Sequence, residues 1–336
     1  MRGSPPSHTC LVMKQVLAAV ALAVLIPWPS SGSTAAQHGY PERPVRVLMP
    51  FPPGGGTDIV GRILAQRLTK ALGQPFIVDN RAGAGGTIAT DIVAKAPRDG
   101  YTLLASNISV AVNASLYPKL PYDTLRDLAA LAMVGQQPNL LLVHPSVPAQ
   151  ALRELLDLAR SQPRQLNYGS GGYGSSTYLA TELLKLMTKA DIVHVPYKGV
   201  GPALTALLAG QVQIFFSTLG PALPYVKAGR VRALGVTTAK RSAYLPAVPT
   251  IAEAGVAGYE YSTWYGIWLP SGTPHAIGGR LYREIETLVL APDVKEEFAS
   301  QGVDAVLMPP DRFDAFCRAE IEKWARVVRA TGARPE

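Results

Sequence analysis

The sequence predicts an α/β protein of two lobes, each a mostly parallel sheet flanked by helices, with a cleft between them. Three observations carry this. Short apolar strands alternate with amphipathic helices along most of the chain, glycine-rich turns sit where strand gives way to helix, and the pattern recurs with no long linker between the two runs. The length of 336 residues suits two domains at about 150 residues each. With 48% hydrophobic and 17% charged residues, the chain has enough apolar material for a sizeable core, which excludes disorder as the main state.

The elements follow in order. Val45–Met49 reads as a strand and Pro50–Gly56 as a turn. Thr57 or Asp58 then caps a helix with Ile59, Ile63, Leu64, Leu68 and Leu72 on one face, ending at Gly73. Phe76–Asp79 is a second strand, Asn80–Gly86 another glycine-rich turn, Thr87–Lys95 a helix and Tyr101–Ala105 a third strand. This order implies right-handed crossovers and parallel pairing. The second run starts with a strand at Leu140–Val143 and a helix at 151–161. A strand at 166–168 enters the loop Gly169–Ser176, followed by a helix at 177–188 and a strand at 192–195. A turn at Tyr197–Gly199 leads to a helix at 203–208 and strands at 212–216 and 232–236. Trp264–Leu269 reads as a returning strand, and the rest as helices at 278–290, 293–301 and 310–329. Lobe 1 is assigned residues 41–140 with 262–336, and lobe 2 residues 141–261.

Residues 1–36 have another character. Lys14 precedes the apolar run Val16–Ile26, which is too short to span a bilayer, and Ser33-Thr34-Ala35-Ala36 offers small residues for cleavage after Ala35 or Ala36. A signal peptide is expected, with Met1 or Met13 as the start. Cys10 precedes the apolar run, so a lipid-anchored cysteine does not fit. Once it is lost, Cys317 stands alone and no disulfide within the chain is expected. Without Arg2 and Lys14 the balance is 30 basic against 24 acidic residues. The basic residues are scattered, which disfavours nucleic acid and suits small anions.

Three glycine-rich turns carry the chemistry. Pro52-Pro53-Gly54-Gly55-Gly56-Thr57-Asp58 brings backbone close to a ligand in front of a helix start, an anion site with no phosphate-loop lysine. Asn80–Thr87 is similar, and its Arg81 faces either a carboxylate ligand or, more simply, a surface acid. Gly169–Gly174 matches G-x-G-x-x-G, but Asp191 stands at the wrong end of the next strand for a dinucleotide ribose. Ser170, Ser175 and Ser176 add hydroxyls there, and Tyr197 with Lys198 adds a phenol and an ammonium at a turn. No nucleophile–base pair and no metal-ligand spacing stands out: His144, His194 and His275 read as structural or exposed. A pocket of amides and hydroxyls suffices for micromolar binding. Such binding needs about 8 kcal/mol, and charge-assisted hydrogen bonds supply roughly 1.5–3 kcal/mol each.

At these residues the chain resembles the tripartite tricarboxylate transporter substrate-binding proteins, the Bug family, over nearly all of 41–336. The segments are YPERPVRVLMPFPPGGGTDIVGRILA, VDNRAGAGGTIA, PRDGYTLL, LNYGSGGYGSSTYLATELL, HVPYKGVGPALTALLAGQV, VPTIAEAG and LPSGTP. The resemblance implies a type II-like periplasmic binding protein fold. It implies a monomeric, cofactor-free receptor that closes over a small carboxylate and delivers it to integral-membrane permease subunits, with no catalysis and no metal. A sensor kinase as partner, or a periplasmic hydrolase, is the alternative. Carried over by position, the ligand residues are Phe51, Pro53, Gly54, Gly55 and Thr57, with Asp58 shaping the helix start. The second lobe adds Ser170, Gly171, Gly174, Ser175, Ser176, Tyr197 and Lys198, and Asn107 follows the DGYTLL strand. Two departures concern specificity. Where the family often has Asp after the Phe215-Phe216 strand, this chain has Ser217-Thr218, which points away from an amino-acid ligand. Tyr178 replaces a commoner His.

Overall fold

A computed structural model of the chain describes Met1, Gly3 and residues 39–334. The expected leader, Cys10 included, otherwise lies outside the described residues. Strands β1 (Val45–Met49), β2 (Phe76–Asn80) and β3 (Thr102–Asn107) run parallel with β1 in the middle, joined through helices α1 (Gly56–Leu72) and α2 (Thr87–Ala94). β1 is buried along nearly its whole length, as a strand in a parallel sheet covered on both faces must be. α1 lays Val60, Ile63, Leu64 and Leu68 into the core and stops where Gly73 turns left-handed.

Helices α3 (Ser109–Leu116) and α4 (Thr124–Asp127) lead into the long strand β4 (Leu128–Gln137). The chain then enters a second sheet. It comprises β5 (Asn139–Val143), α5 (Leu152–Ser161), β6 (Asn167–Ser170), α6 (Ser176–Thr188) and β7 (Val193–Pro196), then α7 (Val200–Leu208), β8 (Ile214–Thr218), α8 (Leu219–Lys227) and β9 (Arg232–Val236). β10 (Thr263–Pro270) returns to the first sheet, followed by α9 (His275–Leu290), α10 (Pro292–Ser300), β11 (Asp304–Met308) and α11 (Pro310–Thr331). The strand orders are β11-β4-β10-β3-β1-β2 and β7-β6-β8-β5-β9.

Both sheets are mixed, where mostly parallel pairing was expected. Parallel pairing is confined to β2-β1-β3 and β7-β6-β8. The strands that carry the chain between sheets run back against their neighbours, so β10 pairs antiparallel with β3 and β4, and β5 with β8 and β9. At the crossing, Thr263 pairs with Gln137, and its hydroxyl donates to Asn139 Oδ1 at 2.7 Å. The Asn139 amide donates to Thr237 Oγ1 at 2.8 Å.

The last helix closes the first sheet. α11 buries Phe313, Cys317, Glu320, Trp324 and Val328, a helical stripe with one carboxylate in it. Glu320 Oε2 accepts from Trp264 Nε1 on β10 at 3.1 Å and from Trp324 Nε1 at 3.0 Å. Glu320→Leu strands two buried indole donors, and should cost about 2–4 kcal/mol in urea unfolding. Glu320→Gln keeps one acceptor oxygen and recovers part of the loss. A cost below about 0.5 kcal/mol for the leucine variant would mean that packing alone holds this helix. Cys317 is buried and unpaired.

Candidate functional site

Four helices begin around one cavity. α1 starts after Gly55, α6 after Ser175, α7 after Gly199 and α8 after Thr218. Gly55, Gly56, Thr57, Ser175, Ser176, Gly199, Val200 and Thr218 all line a narrow cavity, completed by Phe51, Pro52, Asn107, Gly171 and Tyr265. Its wall carries no acidic or basic side chain. The first amides of a helix have no acceptor within it, and of the four only α6 has a side-chain cap, the Tyr178 amide donating to Ser175 Oγ at 3.3 Å. Residues at the starts of four helices therefore line one space with no acidic side chain in its wall, where a helix N-terminus favours an anion.

The cap of α1 is Gly55, not the expected Thr57 or Asp58, so the helix begins earlier and no hydroxyl covers its first amides. Thr57 Oγ1 instead accepts from Asn107 Nδ2 at 2.8 Å, while Asn107 Oδ1 accepts from the Ser109 amide at 2.9 Å. That leaves the Thr57 hydroxyl proton to give to the cavity. Tyr265 reaches the same wall with its hydroxyl against Gln137 Nε2, and burial pushes its ionisation far above the ordinary phenol range, so it stays a neutral donor. Gly56 must be glycine here, because a Cβ would land on the Tyr265 hydroxyl and the Gln137 amide. Thr218 Oγ1 is buried with no protein partner among the described residues.

A larger cavity adjoins the first through Phe51, Pro52, Gly171 and Gly199. The turn Ala82–Gly86, the rings of Tyr117, Tyr173 and Tyr197, and Lys198 bound it. Lys198 is exposed, and forms no ion pair among the described residues. Arg81 takes the simpler of its two roles, pairing with Asp79 at 2.9 Å in a half-exposed position.

Of the residues expected from sequence, Phe51, Gly55, Thr57, Asn107, Gly171, Ser175 and Ser176 meet in the inner cavity, and Tyr197 and Lys198 bound the outer one. Six expected positions line neither. Pro53 and Gly54 lie on the exposed outside of their loop. Asp58 is turned inward, accepting from the Gly54 amide (3.1 Å), Arg62 Nε (2.9 Å) and Asn80 Nδ2 (2.9 Å). Burial alone would raise its pKa, but these hydrogen bonds outweigh it and hold the carboxyl below its usual range. Asp58 thus braces the loop and lines neither cavity. Gly174, at φ +74°, packs under Asn113 and Leu116. Ser217 points to the other face of β8, its hydroxyl donating to the Thr218 carbonyl at 2.9 Å. The residues expected from sequence do not include Pro52, Gly56, Gly199, Val200, Thr218 and Tyr265, which line the inner cavity. The strand alternation of two separates Thr218 from Ser217, but nothing local says which of the pair faces the cavity.

Ser170 is the sixth. Its Oγ lies 2.6 Å from His194 Nε2 and accepts from the Gly172 amide at 3.0 Å. A hydroxyl–imidazole pair therefore exists where none was expected, because β6 and β7 pair with Tyr168 opposite His194 and Ser170 two residues further along. Ser170 is wholly buried, and His194 Nδ1 has no partner among the described residues, so no acid orients the ring.

A model of the tripartite tricarboxylate transporter family receptor matches residues 60–333. The chain is 41% identical to protein BugT of Bordetella pertussis over 297 residues, 88% of this chain and 91% of that one. Among solved structures it is similar to Rpa4515 of R. palustris with adipate, at 37% identity and a TM-score of 0.85, covering 88% of this chain and 100% of that one. It is also similar to MatC of Rhodopseudomonas palustris with bound malate, at 33% identity and a TM-score of 0.81, covering 86% and 100%. Family model, relative and structures agree over most of the chain, which therefore belongs to the tripartite tricarboxylate transporter receptor family.

Proposed function

We propose that this protein is a periplasmic receptor that captures a small carboxylate between two lobes and hands it to the membrane subunits of a tripartite tricarboxylate-type transporter, without chemical change. The observation that carries the reading is the convergence of four helix N-termini, three of them without side-chain caps, on a cavity lined by no acid. A carboxylate there gains charge-assisted hydrogen bonds of roughly 1.5–3 kcal/mol each from amides that need no rearrangement. The unpartnered Thr218 hydroxyl supplies a further donor. The adipate and malate held by the two solved relatives favour the same class of solute. The lobes are residues 41–140 with 262–336 and residues 141–261, opening about the crossing strands. Residues 1–36 direct export and are removed. The burial of Ser170 away from both cavities supports binding without turnover.

The outer cavity sets the shape of the solute. Aromatic rings accept an apolar body, and Lys198 meets a second anionic end. No carboxylate in either wall waits for an amine, which favours a non-amine acid. Calorimetry on the mature protein with mono- and dicarboxylates of increasing length tests this. Longer dicarboxylates should bind more tightly than monocarboxylates, and Lys198→Gln should weaken only the former, by about tenfold. A protein that binds no carboxylate of the series, or that converts one, overturns the assignment.

A further inference from the structure

We propose that His194 is a positioning residue for the cavity-facing turn Gly171–Tyr173, acting through the Ser170 hydroxyl, and that protonation of its ring loosens this turn. Ser170 Oγ holds the Gly172 amide at 3.0 Å, the peptide link between two residues that wall the cavities, and His194 Nε2 holds Ser170 Oγ at 2.6 Å. The Ser170 carbonyl accepts from the Tyr197 amide at 3.0 Å, tying the turn at Tyr197 to the same strand end.

The ring sits in an aromatic cage. It stacks on Tyr168 at 4.7 Å, meets Tyr173 edge-on at 4.8 Å and lies 4.9 Å from Tyr178. Within the cage Nδ1 has no partner among the described residues. Either neutral tautomer leaves one buried donor without an acceptor, Nδ1–H in the cage or, with the proton on Nε2, the Ser170 hydroxyl, and a ring protonated at both nitrogens leaves both without one. A second proton then has no acceptor. The charged groups nearest the cage do not help it. Lys185, on α6, is of the same sign, and Glu182 is already engaged by the Tyr168 hydroxyl at 2.7 Å and by Lys185 Nζ at 2.8 Å. Tyr168, Tyr173 and Tyr178 complete the facing groups, and the buried Tyr168 and Tyr178 are held neutral well past the ordinary phenol range, first by burial. Burial, with Lys185 adding to it, lowers the His194 pKa to about 4.

The direction in pH follows. With the turn seated the ring resists protonation down to about 4, whereas opening the turn withdraws Tyr173, admits water and moves the ring toward its ordinary value of about 6.5. The seated form therefore loses ground as pH falls from about 6.5 toward 4, by up to about tenfold per pH unit. Carboxylate release in acid would follow from this, and that consequence rests on the binding function proposed above. The positioning itself does not.

Amide hydrogen exchange of the segment 168–178 in the ligand-free mature protein tests it, with melting curves to confirm the fold. His194→Phe keeps a ring and removes the hydrogen-bond partner of Ser170, and should speed exchange of the turn by about tenfold near pH 7.5. His194→Gln keeps an amide donor that does not titrate. It should match the wild type near pH 7.5 and, after correction for intrinsic exchange, keep its protection near pH 5, where the wild type loosens about tenfold. Wild-type protection of the turn in His194→Phe, or the same acid response in wild type and His194→Gln, overturns the proposal. Should His194→Phe not fold, the comparison of wild type with His194→Gln decides. A parallel titration with adipate separates the claims, since failure to bind leaves the exchange result standing and removes only the carboxylate function.

Discussion

Replacing Gly55 by leucine should abolish the proposed carboxylate binding and leave the fold standing. Gly55 has an ordinary φ of −87°, and a Cβ built on it meets only the Val200 side chain, at 3.7 Å. Alanine is therefore tolerated. A longer side chain has the cavity ahead of it, between the starts of α1 and α7, and its carbons occupy the space in front of the free amides. Losing two charge-assisted hydrogen bonds removes at least about 3 kcal/mol, or roughly 100-fold in affinity. Calorimetry should show that loss for Gly55→Leu and less than about tenfold for Gly55→Ala, with melting temperatures within a few degrees of wild type. An unchanged affinity in Gly55→Leu would remove the loop from the site. Gly56 behaves differently, because its Cβ has no free space at all, and even Gly56→Ala should disturb the Tyr265–Gln137 contact and the floor with it.

How far the fold shows in the sequence depends on whether a segment's own chemistry agrees with its place. Val45–Met49 is rich in valine and ends in a proline–glycine turn, so strand and helix start are both visible. The strand Leu128–Gln137, LAALAMVGQQ, is not. Its alanines, leucines and methionine favour helix, and it is a strand because β10 and β11 flank it on both sides. Helix α8 is hidden for the opposite reason, as it contains Gly220, Pro221 and Pro224, which read as loop. The site follows the same division. The glycine turns before α1 and α6 are local signals, legible in the sequence and lining the inner cavity. Tyr265 is not legible there, because its place on the wall comes from a pairing with Asn107 across the sheet. The contact between Ser170 and His194 likewise depends on the register of β6 with β7, which no local pattern reports.

Thr218→Asp should reverse the preference of the site. Thr218 precedes α8, where aspartate is a favoured cap and the helix end is positive, so the fold accepts the change. Its side chain meets the inner cavity with the hydroxyl unpartnered, so the new carboxylate would enter a wall that holds no other charge. Two carboxylates about 4 Å apart repel by about 4 kcal/mol at an effective dielectric of 20. Even with some of that screened, affinity for adipate near pH 7.5 should fall at least about 100-fold. A solute with an amine beside its carboxylate meets the same repulsion and gains an ion pair that offsets it, so the ratio of amino acid to plain acid affinity should rise by more than about tenfold. Thr218→Asn separates charge from shape, since it has nearly the size of aspartate and no charge, and should cost less than about tenfold. If the two variants lose affinity alike, then space and not electrostatics governs the cavity, and four helix starts around an acid-free wall cease to support the proposed binding of an anion there.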